Sequence, residues 1–103
     1  MTAEEISNII KSELDNEKDF FNPHGINLKT SLIKPTRRAY LDSLDKTKKL
    51  PLWTVLVESQ DEKGYNIFYN ETECAFGLGI KSASGEFIAL GTYGSFVNTL
   101  ECM

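Results

Sequence analysis

Cysteine, histidine, proline and tryptophan are all scarce in this chain of 103 residues, which has two Cys, one His, three Pro and one Trp. Cys74 and Cys102 are too few and too far apart for a disulfide framework, or for a zinc site, which needs about four ligands at close spacings. Reduced thiols, no metal and no cofactor are therefore expected. The lone histidine, His24, has no Ser, Cys or carboxylate pattern beside it that would define a nucleophile and its base, so catalytic residues are not expected. No stretch approaches the roughly twenty apolar residues that span a bilayer. The opening "MTAEEISNIIKSELDNEKDF" is too acidic for a signal peptide. The chain reads as cytoplasmic, with no membrane partner. What it does have, 41% hydrophobic and 25% charged residues, is the composition of an ordinary folded globule, and its length predicts one domain over 1–103.

The formal net charge of −4 hides a division along the chain. Residues 1–28 carry two Lys against six Asp and Glu, and residues 50–103 two against seven. Between them Lys29, Lys34, Arg37, Arg38, Lys46, Lys48 and Lys49 face only Asp42 and Asp45. A basic stretch attracts nucleic acid, but an acidic protein repels the phosphate backbone everywhere else. Nucleic acid is thus not the expected partner.

Thr2 and Glu5 form a capping box, so a helix is predicted to start there. Ile6, Ile9, Ile10 and Leu14 then recur at helical spacing as a narrow apolar stripe. "NPHG" at 22–25 stops the helix, with Phe20 and Phe21 anchoring that end. From Ile26 the period changes to two, and residues 26–43 read either as one strand bulged near Pro35 or as two strands. "LWTVLVE" at 52–58, "YNIFYN" at 65–70, "CAFGLGI" at 74–80 and "FIALGTY" at 87–93 are further strands joined by short turns, which makes an antiparallel meander. Ser95 caps a short closing helix carrying Phe96, Val97 and Leu100. The expected fold is α+β: an N-terminal helix, an antiparallel β-meander of about five to six strands, and a short C-terminal helix.

A two-residue turn at Glu71 and Thr72 would place Tyr69 opposite Cys74 and Ile67 opposite Phe76. The same register sets Val57 opposite Tyr65, Phe76 opposite Gly91 and Ile80 opposite Phe87, and lines up Trp53, Tyr69, Cys74 and Tyr93 across four strands. The aromatic row belongs to the face that the helices cover. The other face then receives Leu56, Asn66, Phe68, Gly77, Gly79, Ile88 and Leu90, large apolar groups around a glycine floor. These seven are the candidate partner- or ligand-binding residues. Gly85 serves a turn, where positive φ is cheap. "GTYGS" at 91–95, ahead of the last helix, is the single place for an anion cradle, and it matches neither the P-loop nor the dinucleotide fingerprint.

A short acidic chain with an N-terminal helix, an antiparallel meander and "YGSFVNTLECM" at its end resembles small bacterial accessory proteins, including toxin-neutralising immunity proteins and products of mobile gene cassettes. That resemblance implies tight binding that blocks a partner, with acidic residues complementing a basic surface. The function expected is therefore a non-enzymatic, protein-binding accessory role, with another protein or a second copy of the chain as partner. The alternative is a small-molecule-binding domain or an enzyme with its pocket over Gly77 and Gly79.

Overall fold

The computed structural model describes residues 1–16, 31–45, 47–58 and 64–102. The fold is α+β. Helix α1 (Ala3–Asn16) is followed by strands β1 (Leu32–Asp42), β2 (Lys49–Val57), β3 (Tyr65–Asn70), β4 (Ala75–Lys81) and β5 (Phe87–Gly94), and then by helix α2 (Phe96–Glu101). The helix stop expected at 22–25, the Phe20–Phe21 anchor, His24 and the strand start at Ile26 lie outside the described residues.

Both helices begin where their capping residues dictate. Glu5 N–H donates to Thr2 Oγ1 and Thr2 N–H donates to Glu5 Oε1, each at 3.2 Å. This reciprocal pair satisfies two donors that have no partner inside the helix. Ser95 Oγ accepts from Asn98 N–H at 3.1 Å and starts α2. The apolar stripe of α1 buries Ile6 and Ile10.

The sheet departs from the expected open meander, because its five strands close into a barrel in the order β1-β2-β3-β4-β5. Consecutive strands pair antiparallel as anticipated. Five strands running alternately up and down leave the first and last pointing the same way, so the closing pair has to be parallel. It spans three positions, Tyr40↔Phe87, Leu41↔Ile88 and Asp42↔Ala89. Closure requires the sheet to coil tightly, and bulges supply local bend and twist. One interrupts β2 at Val55, and two interrupt β5, at Leu90 and Tyr93. Residues 32–42 form a single strand with an irregularity between Leu32 and Thr36.

Closure divides the core in two. Outside the barrel, α1 and α2 pack Ile6, Ile10, Phe96, Val97 and Leu100 against Val55, Leu56, Ile67, Tyr69, Phe76 and Leu78. Inside it, Tyr40, Leu52, Phe68 and Ala89 form a smaller cluster flanked by Leu50 and Phe87. Trp53 does lie opposite Tyr69, but the next hairpin uses the four-residue turn 71–74, so Tyr69 pairs with Phe76 and Ile67 with Leu78. Cys74 sits in that turn at φ 52, and the strand it was expected to join begins at Ala75. Phe76 pairs with Gly94 and Leu78 with Gly91, while Tyr93 is bulged out.

The bulges also change faces. Val55 takes the extra position, so Leu56 pairs with Ile67 on the helix side and leaves the face predicted for it. In β5, Ile88 pairs with Ile80 while Phe87 and Ala89 turn into the lumen, the reverse of the expected assignment.

Candidate functional site

Four of the seven candidate residues meet inside the barrel wall. Gly77 lies opposite Phe68, and Gly79 opposite Asn66. A Cβ on Gly77 would stand 2.3 Å from the Gly91 carbonyl oxygen and 2.5 Å from Phe68 Cζ. On Gly79 it would stand 2.7 Å from Asn66 Oδ1 and 2.8 Å from Tyr40 Cε2. The glycines thus make room for the chain's own rings, those of Phe68 and Tyr40, whose centroids are 5.3 Å apart. Filling the lumen with side chains is what a small barrel demands. The Tyr40 hydroxyl lies 2.6 Å from Thr54 Oγ1 and donates to Asn66 Oδ1 at 2.8 Å, which links three buried polar side chains, while Asn66 Nδ2 is buried with no hydrogen-bond partner among the described residues.

The lumen opens at one end into a cavity of about 260 Å³. Leu50, Leu52, Phe68 and Ala89 line it from the barrel, Leu90, Gly91 and Thr92 along β5, and Asp42, Ser43, Leu44, Asn70 and Glu73 from the strand ends and turns. Mouths of β-barrels are a preferred position for binding sites. Two of the predicted residues, Phe68 and Leu90, belong to this mouth. Leu90 reaches it because the bulge turns the residue outward, where it is 40% exposed.

The rim is held by short-range hydrogen bonds. Ser43 N–H donates to the Ala89 carbonyl at 3.2 Å and ties the end of β1 to β5. Asp42 Oδ1 accepts from Leu44 N–H at 2.9 Å. Asp45 Oδ1 accepts from both the hydroxyl and the N–H of Thr47, first the hydroxyl and then the amide holding its carboxyl below the usual range. The turn they build displays Leu44 at 96% exposure. Asp42 and Glu73 are the charged residues of the lining among the described residues. Glu73 Oε2 accepts from the Thr92 hydroxyl at 3.3 Å.

The chain matches no family model, no curated protein and no solved structure.

Other chemistry singled out in the sequence is used for packing. The segment 91–95, the single place the sequence offered for an anion cradle and one that matched neither motif, leads into a helix start that meets the carboxylate of Glu13. Its two oxygens accept from Phe96 N–H and Val97 N–H at 3.1 Å each, across the interface of α1 and α2. Of the aromatic row, Tyr69 is buried among the helix-side residues and Trp53 packs beside it. Burial, then the neighbouring Cys74 and Glu71, pushes the Tyr69 phenol above its ordinary pKa. Within the basic stretch, Arg37 pairs with Glu71 and lies 5.2 Å from the Trp53 ring centroid, while Arg38 lies 4.7 Å from that of Phe87. Among the described residues no group of His, Cys, Asp and Glu is placed to hold a metal ion, and no helix is long and apolar enough to cross a membrane.

Sequence reasoning missed Leu44 altogether. A leucine isolated between Ser43 and Asp45 carries no periodicity, and the available signal was its spacing from Asp42, whose side chain can fold the backbone two residues on.

Proposed function

We propose that this protein is a non-enzymatic binding protein that engages another protein through the barrel mouth, in the manner of an immunity-type inhibitor. The observation that carries this reading is Leu44, almost wholly exposed on a turn fixed by hydrogen bonds, at the edge of an apolar cavity. An aliphatic side chain held out to water gains nothing for folding. On a preorganised turn it loses little entropy when a partner covers it. Together with Leu90 it sets exposed apolar surface beside a concave centre, and a pocket that a partner can desolvate fully is where binding energy concentrates. The cavity, at about 260 Å³, lies just under the roughly 300 Å³ at which small-molecule sites begin, and it suits a side chain of a partner. Asp42 and Glu73 suit a partner of positive surface charge. A small molecule over Gly77 and Gly79 would instead have to displace Phe68 and Tyr40.

The test is retention of partners from the native host by the wild-type chain, by Leu44→Ser and by Leu90→Ser, with light scattering on each eluate. A protein retained by the wild type and lost by both variants, at unchanged melting temperature, is the expected result. A second copy as partner would show as a concentration-dependent mass that Leu44→Ser abolishes. A strict monomer retaining no protein would overturn the reading.

A further inference from the structure

Resting on the mouth as the binding surface, we infer that its occupant is an extended segment of the partner in which a lysine or arginine adjoins a medium-sized aliphatic side chain. The cavity sets the first requirement. Leu50, Leu52, Phe68 and Ala89 offer an apolar floor, and a compact aliphatic group gains most from leaving water there.

Charge sets the second. Among the described residues, both ionisable groups of the lining are carboxylates. Each has a single hydrogen bond among the described residues, from Leu44 N–H to Asp42 and from Thr92 Oγ1 to Glu73. Neither has an ion pair there. A carboxylate accepts about four hydrogen bonds, so each retains acceptor capacity at the lip of a low-dielectric hollow. A cation carried next to the anchor meets that capacity, whereas an acidic segment would be repelled.

The third requirement comes from the backbone. β1 ends at Asp42, opposite Ala89, so beyond Ala89 strand β5 pairs only with β4 among the described strands. Leu90–Gly94 therefore keeps one edge without a described strand beside it, and its first three residues, Leu90–Thr92, line the cavity. An extended segment lying there gains main-chain hydrogen bonds while its side chain drops into the hollow. The bulges at Leu90 and Tyr93 break the regular ladder that would otherwise accept any strand. Selection therefore falls to the anchor and its neighbouring charge.

The experiment pans a phage-displayed library of random nonapeptides against the immobilised full chain at low salt. It counter-selects on the double variant Asp42→Asn/Glu73→Gln, which keeps the acceptors of the Leu44 and Thr92 bonds and removes both charges. Enriched sequences should place Lys or Arg within two positions of Leu, Ile, Val or Met. A synthetic peptide of the leading sequence should bind the double variant about tenfold more weakly. Its amide shifts should fall on Asp42–Leu44 and Ala89–Thr92. No enrichment, enrichment of acidic or uncharged sequences, equal binding to the double variant, or shifts centred elsewhere would each overturn the inference. If a host protein is lost by Leu44→Ser but held unchanged by the double variant, the basic occupant is wrong and the mouth remains the binding surface. If Leu44→Ser loses nothing, the mouth itself is wrong.

Discussion

A methyl group on Gly77 would have to share space with the Gly91 carbonyl oxygen, a backbone atom held in the β4–β5 ladder. Nothing flexible can yield there, so Gly77→Ala should destabilise by about 3 kcal/mol or more, the upper range of overpacking. Urea unfolding would measure it. Gly91→Ala is the matched control, since a Cβ there meets nothing within 4 Å, and it should change stability by less than about 0.5 kcal/mol. Tyr40→Phe tests the lumen from the polar side. Removing the hydroxyl leaves Thr54 and Asn66 buried without their shared partner, at a cost of about 1–3 kcal/mol. Tyr69 adds a dependence on pH. Its phenol is held above the ordinary value by burial first, so its contribution is complete below about pH 10, where the unfolded phenol also stays neutral. Above that, the unfolded chain ionises first, and stability falls as pH rises toward the folded-state pKa. Tyr69→Phe should flatten this alkaline loss in a series of chemical denaturations.

Helix α2 has six residues, too short to persist without external help. Part of that help is the Glu13 carboxylate, which reaches from α1 to accept from Phe96 and Val97. Glu13→Ala should cost about 1–2 kcal/mol, the scale of a lost cap, with faster amide exchange across α2 than across α1. Both helix starts were legible because capping chemistry is local and its residues are contiguous. The bulges were not. In "TVLV", every residue after Thr54 is apolar, so no polar partner marks the shift of phase at Val55, and Leu56 was placed on the wrong face. "FIAL" hides the reversal of Phe87 and Ile88 for the same reason. Where glycine alternates with large residues, from Phe76 to Ile80, the faces of β4 were read correctly even though its register was two residues off. The turn 71–74 produced that offset, because Cys74 takes a left-handed conformation that a cysteine does not advertise.

Barrel closure itself left no trace in the sequence, because it depends on how far five strands coil together and on pairing between positions far apart in the chain. It decided the fate of the candidate residues. The face that looked like an open surface became a lumen, with Asn66, Phe68, Gly77 and Gly79 facing one another and only its mouth accessible. Leu44→Asp should therefore leave the melting temperature within about a degree, since a change at an exposed position away from packing is worth little. The same variant should abolish partner retention.

The parallel seam joins Tyr40–Asp42 to Phe87–Ala89 through three pairs, the shortest ladder among the described strands, and it links segments from opposite halves of the chain. The entropy lost on bringing such distant segments together is recovered only after the hairpins between them exist. The seam should accordingly form last on folding and part first under thermal fluctuation, with hydrogen exchange at Leu41 and Ala89 outpacing that at Ile67 and Leu78. Tyr40 stands on this seam. Each such parting would let water reach the lumen network from the side, so the barrel's slowest joint is also its weakest seal.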